Sequence, residues 1–138
     1  MHQAPESETN RLLALHQTVL QAHLQGDVEL LLQDEPDDYV IASQGIVSHP
    51  DKAARRQRLG PYLTTTHFET YRDQVPPVVT VSADGTLGWV IVQVYVQGWQ
   101  TAVDGTSTPL EFVSAWIELY EKRDGRWLRT GNVSNFKP

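Results

Sequence analysis

The stretch Trp116–Trp127, WIELYEKRDGRW, decides the fold of this 138-residue chain. Near its end lies Asp124-Gly125, a dipeptide that favours a tight hairpin turn because both central residues of such a turn need positive φ. The turn predicts that the strands Leu110–Lys122 and Arg126–Phe136 pair with each other. A further long strand, Leu87–Gly98, precedes them, so the C-terminal end is predicted to be an antiparallel sheet.

The N-terminal half carries the signals of three helices. An apolar stripe at helical spacing follows Ser7, which is suited to be its cap, and Gly26 ends this first helix. Asp27 caps a second, short helix. Asp51 caps a third helix, which Gly60-Pro61 is expected to break.

Shorter strands lie between these helices and the long strands. Tyr39–Ser43 and Ile46–His49 form a predicted small hairpin, and His67–Asp73 and Val78–Ser82 are two more strands. This order predicts an α+β fold, with a curved antiparallel sheet and about three helices on one face. The length is that of a single domain, residues 1–138.

Matching apolar residues across the long strands predicts their register. Val96 is placed opposite Val113 and Val92 opposite Ile117, on the face under the helices together with Asn132 and Ser134. The other face is then predicted to carry aromatic and polar side chains: Trp89, Tyr95, Trp116, Glu118, Trp127 and Arg129. An aromatic surface of this kind is typical of an interface, so we expect a homodimer through the sheet face bearing Trp89, Tyr95 and Trp116.

Composition excludes several classes of partner. The net charge of −6 argues against binding to nucleic acid or to an anionic membrane surface. No stretch approaches the ~20 apolar residues of a membrane-spanning helix, and Met1–Asn10 lacks the apolar run of a signal peptide. The absence of cysteine rules out thiol chemistry and fits a cytoplasmic location.

The order of elements resembles the nuclear transport factor 2-like superfamily over nearly the whole chain. The residues that carry the resemblance are Gln25-Gly26-Asp27, Asp38-Tyr39-Val40 leading to Gly45, Trp116–Trp127 and Gly131–Asn135. The chain is most similar to the small polyketide-cyclase-like and ketosteroid-isomerase-like members. The resemblance implies a cone-shaped, cystatin-like sheet with the helices on its concave side, a pocket between them, and dimers formed through the sheets. The catalytic patterns of the known enzymes do not transfer, since the predicted pocket face receives no strand aspartate.

Two histidines are candidates for chemistry on the first helix. His16 and His23 are seven residues apart, so they share a face but lie ~10.5 Å apart along the axis, too far to hold one metal ion. His16 is the candidate acid or base, because its ordinary pKa is ~6.5, and His23 is a candidate ligand contact. The alternative is that both are partly buried histidines with one hydrogen bond each.

Polar residues near the predicted pocket are candidate ligand contacts. The Tyr39 hydroxyl is suited to donate a hydrogen bond to a ligand carbonyl. The alternative is that Tyr39 only packs within the fold, with its hydroxyl in water. Asn132 and Ser134 lie on the buried side by register and therefore need partners, either within the fold or in a cavity. The basic side chains of the third helix, Arg55, Arg56 and Arg58, are interpreted as a solvated face. No cofactor or metal site is predicted.

The sequence is compatible with three functions. The first is a homodimeric domain that binds a small molecule of unknown identity. The second is an isomerase, cyclase or dehydratase acting on a small apolar carbonyl compound, in which His16 moves the proton while Tyr39 and Asn132 polarise the oxygen. The third is an accessory oligomerisation module. Whether the protein is an enzyme is therefore undecided by its sequence.

Overall fold

The structure of the protein, a computed structural model, describes the backbone of residues 3–137 and the side chains of residues 7–135. The helices are α1 (Gln3–Gln25), α2 (Val28–Leu32) and α3 (Lys52–Thr65). The strands are β1 (Val40–Ser43), β2 (Ile46–Ser48), β3 (Thr66–Asp73), β4 (Val78–Val81), β5 (Leu87–Thr101), β6 (Ser107–Arg123) and β7 (Arg126–Lys137).

All seven strands belong to one sheet with the order β2-β1-β7-β6-β5-β3, and β4 pairs with β5 beside β3. Every pairing is antiparallel except that of β1 with β7. The predicted turns form as expected: Gln44-Gly45 and Asp124-Gly125 all have positive φ, from 52° to 80°. The predicted α+β class, with a curved, mostly antiparallel sheet and helices on one side, is confirmed.

The helix boundaries differ from the prediction at two places. Helix α1 begins at Gln3 rather than after a cap at Ser7, and Met1 and His2 lie outside the described residues. Helix α3 continues through Pro61, so the predicted break is wrong. Its last turn is anchored by the buried Leu63, and Thr64 donates a hydrogen bond to the Gly60 carbonyl.

The register of β5 and β6 differs from the predicted one by one residue. Val96 lies opposite Phe112 and Val92 opposite Trp116. The connecting loop has five residues between Thr101 and Ser107, which are themselves paired. A shift by one residue exchanges the two faces of β6. Trp116 and Glu118 therefore point toward the helices, and their predicted place on the outer face is wrong.

Strand β7 contains a bulge that changes which of its residues face the helices. Leu119 pairs with Gly131 but Tyr120 pairs with Arg129, so Thr130 is an extra residue. Before the bulge Arg129 faces inward, and after it Asn132 does as well. Trp127 and Arg129, which were expected on the outer face, lie before the bulge and follow the exchanged faces of β6 inward, where they are 2% and 3% exposed.

The core lies between helix α1 and the concave face of the sheet. The helix contributes Leu12, Val19 and Leu20, all buried. The sheet contributes the alternating valines of β5: Val90, Val92, Val94 and Val96. Among the described residues, no helix is both long and apolar enough to cross a membrane.

Candidate functional site

A cavity of about 320 Å³ lies between the helices and the concave face of the sheet. Its apolar wall consists mainly of ring and aliphatic side chains: Val19, Leu31, Ile41, Leu59, Tyr62, Tyr71, Phe112 and Trp116. Its polar wall comprises His23, Glu35, Tyr39, Ser43, Arg55, Arg58, Ser114, Glu118, Arg129, Asn132 and Ser134. Among these described lining residues only Arg58 is exposed, which places it at the opening.

The cavity brings together most of the residues singled out from the sequence. Tyr39, Asn132, Ser134 and His23 all line it, and their role as ligand contacts stays a prediction. The Ser134 hydroxyl donates a hydrogen bond to the Ser43 hydroxyl, with 2.8 Å between the two oxygens. Asn132 lies directly across the β6–β7 pair from Glu118. These side chains therefore surround one space rather than serving separate parts of the fold.

His16 is completely buried and does not line the cavity, but it contacts Glu118, which does. Its Nδ1 lies 2.7 Å from Oε2 of Glu118, and its Nε2 lies 2.7 Å from Oδ1 of Asp73. Glu118 also accepts hydrogen bonds from the indole of Trp116 at 2.8 Å and from the hydroxyl of Tyr120 at 2.7 Å. We call these five residues the Glu118 cluster.

The Glu118 cluster favours charge separation between its histidine and its carboxylate. Burial by itself lowers the pKa of His16, but the hydrogen bonds and negative charges of Glu118 and Asp73 outweigh it, so the pKa is raised. Burial likewise acts to raise the pKa of Glu118, but the hydrogen bond and charge of His16, with the charge of Arg129, hold it below its ordinary value. The carboxylate in the cavity wall is thus kept ionised and fixed by three donors.

A second buried carboxylate, Glu35, lies between two arginines. Arg55 donates two hydrogen bonds of 2.8 Å to its two oxygens, and Arg129 donates one of 3.3 Å. The Arg55 guanidinium also lies 4.5 Å from the centre of the Tyr39 ring, within cation–π range. We call these four residues the Glu35 cluster. It shows that Arg55 belongs to the cavity wall, so its interpretation as part of a solvated face is wrong.

Arg129 is held rigidly in the cavity wall. Its Nη2 donates to the Leu31 carbonyl at 2.6 Å, while its buried Nη1 has no hydrogen-bond partner among the described residues. A buried donor left unpaired costs about 1–3 kcal/mol, so an acceptor placed beside this guanidinium would be stabilising. Two positive charges share one carboxylate in the Glu35 cluster, which leaves this part of the wall electropositive.

His23 presents a neutral imidazole to the cavity. Burial lowers its pKa to about 4, and the ring stacks on Tyr71 with 4.2 Å between the centroids. Its Nδ1 donates to the Val19 carbonyl at 2.8 Å, because a carbonyl can only accept. Nε2 of the neutral ring is therefore an acceptor. The same burial that lowers the pKa of His23 is overcome at His16 only because two carboxylates adjoin that ring.

The outer, convex face of the sheet carries an apolar row across four strands. Val78, Ile91, Ile117 and Val133 follow one another in register from β4 to β7. Three of them are well exposed, at 53% for Val78 and 39% for both Ile91 and Val133. Trp89 and Tyr95 lie on this convex face as predicted, opposite Leu119 and Val113. Trp116 is 7% exposed on the concave side, so its assignment to the dimer surface is wrong.

Three cavity residues were missed from the sequence: Glu118, Glu35 and Arg129. One signal for Glu118 was available, because it is the one charged residue in the mostly apolar run Phe112–Tyr120. A single charge within such a strand indicates a built site as readily as a solvent-facing position. Glu35 and Arg129 carry no comparable signal, since they meet only through folding and are 94 residues apart.

Several solved structures are similar to this chain in fold. No protein-family model matches the chain, and no curated protein matches it. Among solved structures, an NTF2-like protein from Cytophaga hutchinsonii has a TM-score of 0.70 at 15% identity, covering 93% of this chain and 97% of that one. A candidate ketosteroid isomerase from Shewanella frigidimarina has a TM-score of 0.64 at 17% identity, covering 88% and 92%.

The association domain of calcium/calmodulin-dependent protein kinase II from C. elegans is also similar, with a TM-score of 0.66 at 14% identity, covering 95% of this chain and 97% of that one. The chain has the nuclear transport factor 2-like fold. Identities this low establish the fold alone. What a nuclear transport factor 2-like domain does here must be argued from its own cavity and surfaces.

Proposed function

We propose that this protein binds a small molecule in the cavity between its helices and the concave face of its sheet. The observation that carries the proposal is the space itself, about 320 Å³ left open among side chains that are fixed by packing and hydrogen bonds. Ligand sites of this size combine an apolar wall with a few oriented polar groups. Trp116, Tyr71 and Phe112 supply the wall, and the Glu35 and Glu118 clusters supply the polar groups.

The charges of the wall favour a neutral or weakly anionic ligand. Arg55 and Arg129 share the single charge of Glu35, and Arg58 adds a positive charge at the opening. The Glu118 cluster opposes them with one excess negative charge when His16 is protonated. A ligand with an apolar body and one carbonyl or carboxylate group suits this wall, with the acceptor group placed beside Arg129.

Adjacent residues on β6 give a matched test. Ser114 lines the cavity, whereas Ala115 points to the convex face. Benzoate and benzamide serve as probes, and binding is followed by amide chemical shifts in NMR titrations. We expect at least one probe to bind with a dissociation constant of about 1 mM or less. Ser114→Phe fills the cavity and removes binding, while Ala115→Phe leaves it intact.

Either of two outcomes of this titration would contradict the proposal. One is that neither probe, nor any member of a general fragment library, shifts the signals of residues lining the cavity. The other is that Ala115→Phe removes binding as completely as Ser114→Phe does. A larger shift with benzoate than with benzamide supports an anionic acceptor group, and equal shifts support a carbonyl.

A second candidate function is proton transfer on a bound carbonyl compound. The observation that favours it is that an ionised carboxylate, Glu118, lies in the cavity wall with His16 directly behind it. In this reading Glu118 faces the substrate, and His16 acts through it rather than touching the substrate. Once a substrate is known, Glu118→Gln should lower kcat by about 10²-fold or more and leave KM nearly unchanged.

We also propose that the protein self-associates through its convex face. The apolar row of Val78, Ile91, Ile117 and Val133 supports this, because exposed apolar patches on long strands are typical of interfaces. The likeness to an association domain supports it as well. Light scattering that finds only monomer at tens of micromolar protein would exclude it. Self-association without any probe binding would instead favour the accessory oligomerisation module.

A further inference from the structure

The ring of His16 connects two carboxylates that face different sides of the protein. Both of its nitrogens lie 2.7 Å from a carboxylate oxygen, Nδ1 from Glu118 and Nε2 from Asp73. Glu118 lines the cavity, whereas the side chain of Asp73 is 17% exposed and accepts a hydrogen bond from the exposed Gln17. A continuous chain of short hydrogen bonds therefore leads from the cavity, through the core, to the surface beside helix α1.

These distances fix the number of protons in the chain. A contact of 2.7 Å between a ring nitrogen and a carboxylate oxygen needs a proton between the two atoms, since two lone pairs would repel each other. Asp73, His16 and Glu118 therefore share two protons. Three arrangements satisfy this: the imidazolium between two carboxylates, or neutral imidazole with either Asp73 or Glu118 protonated. The net charge of the three groups is the same in each, so the proton moves without adding charge to the core.

The groups packed around the chain set its resting arrangement. On β6, Trp116 and Tyr120 donate to Glu118, and on β7 the positive charge of Arg129 acts on the same carboxylate. On β3, the buried Tyr71 lies near Glu118 and stays neutral, because burial raises its pKa well above 10. The surroundings thus favour the imidazolium when the cavity holds no ligand. An electron-rich ligand group beside Glu118 favours the arrangement with the proton on that carboxylate.

We propose that Glu118, His16 and Asp73 form a two-proton relay that couples the protonation of the cavity carboxylate to that of the surface carboxylate. When Asp73 is the protonated carboxyl group, its proton passes to Nε2 of His16 as the Nδ1 proton passes to Glu118, so Glu118 becomes protonated and Asp73 ionised. Glu118 lends this proton to a basic atom in the cavity and takes it back. The reverse shift then restores the proton of Asp73, which exchanges with water. The relay rests on the proposed ligand cavity only at its inner end.

Hydrogen exchange of side-chain protons tests the relay in the protein without ligand. NMR can follow the exchange with water of the His16 ring protons and of the Trp116 indole proton. The indole proton is an internal control, because it binds the same oxygen of Glu118 but makes no contact with Asp73. Asp73→Asn keeps an acceptor for Nε2 but cannot pass a proton on. We expect it to slow the exchange of the His16 ring protons by about 10²-fold and to leave the Trp116 proton unchanged.

Glu69→Gln is the charge-matched control, since Glu69 is an exposed carboxylate on the same strand. It should change neither rate. The relay is wrong if Asp73→Asn leaves the His16 exchange unchanged, or if it slows His16 and Trp116 equally. If Asp73→Asn does not fold, exchange rates measured in the wild-type protein with added acetate still test the relay. Added acetate should accelerate the exchange of His16 but not of Trp116, and the absence of this acceleration overturns the relay. Because no ligand is used, failure of the relay is separate from failure of ligand binding.

Discussion

The two faces of strand β6 differ in polarity, and the more polar face is the more deeply buried one. The concave face carries Ser114, Trp116 and Glu118, while the convex face carries aliphatic side chains such as Ile117 and Leu119. The charged residue is completely buried and the aliphatic ones are half-buried. A buried charge is tolerated only where donors surround it, and β6 and α1 supply those donors. The comparison teaches that the inward face here is built for polar contacts and the outward face for apolar ones.

The largest expected effect comes from removing the buried charge of the concave face. Glu118→Ala leaves His16, the Trp116 indole and the Tyr120 hydroxyl without their shared acceptor. The free energy of unfolding should fall by about 3–5 kcal/mol. Ile117→Ala, its neighbour on the convex face, should cost only about 1–2 kcal/mol in dilute protein. Urea unfolding measures both, and equal losses would contradict the inward placement of Glu118.

Acid should destabilise the concave side through His23. The pKa of this residue is lowered from 6.5 to about 4 in the folded protein, so the unfolded chain binds the proton more tightly. Stability is therefore complete above pH 6.5 and declines as the pH falls toward 4, by about 3 kcal/mol at the lower end. His23→Gln should remove this part of the pH dependence. His49→Gln, at an exposed position, should leave it in place, as measured by unfolding at a series of pH values.

The raised pKa of His16 and the lowered pKa of Glu118 change the free energy of unfolding in other pH ranges than His23 does. The His16 contribution is present below its unfolded pKa of 6.5 and is lost only as the pH rises through the higher folded value. The Glu118 contribution is present above its unfolded value of 4.5 and is lost as the pH falls below it. Neither produces the decline between pH 6.5 and 4.5, so the His23→Gln comparison isolates one residue.

A charge on the convex face should weaken self-association and spare the cavity. Ile91→Glu places a carboxylate in the middle of the apolar row. We expect the dimer to weaken by about 100-fold, or about 2.7 kcal/mol, because the charge must be desolvated in the interface. Gln57→Glu, on the exposed side of α3, is the control. Light scattering over a range of concentrations measures association. Unchanged association in Ile91→Glu means that another surface is used.

The smallest effects come from two adjacent residues of β7 that face opposite ways. Ser134→Ala removes one hydrogen bond, the one with Ser43, and should lower the free energy of unfolding by about 1 kcal/mol. Val133→Ala shortens a 39% exposed side chain, so it should leave the monomer nearly as stable and weaken only its association. Thermal unfolding and light scattering together separate the two. A reversal of the two effects would mean that the bulge does not set the direction of these side chains.

Much of the fold follows from local sequence. Asp124-Gly125 and Gln44-Gly45 specify hairpins because their backbone needs positive φ, and Asp27 and Asp51 cap the helices that follow them. The break expected at Pro61 was wrong because the burial of Leu63 outweighs the local preference of one proline. Local signals are dependable where the backbone alone decides and weaker where packing competes.

The candidate site was predicted in part. Tyr39, Asn132 and Ser134 line the cavity. For Asn132 and Ser134 two departures from the predicted pairing cancel, since the register shift exchanges the faces of β6 and the bulge at Thr130 exchanges those of β7 beyond it. Glu118 was placed on the wrong face, since both faces of Phe112–Tyr120 are apolar enough to be buried and alternation does not choose between them. The register of β6 against β5, closed by a five-residue loop, made that choice.

The sequence by itself determined the element order, the tight turns and the α+β class, because these depend on backbone preferences and on apolar spacing within each element. Only the tertiary structure decided which groups meet in the cavity. His16, Asp73 and Glu118 come from three elements, and Glu35, Arg55 and Arg129 from three other regions of the chain. The physical reason is that a buried charge is stable only with partners, and those partners are brought together by folding rather than by proximity in the chain.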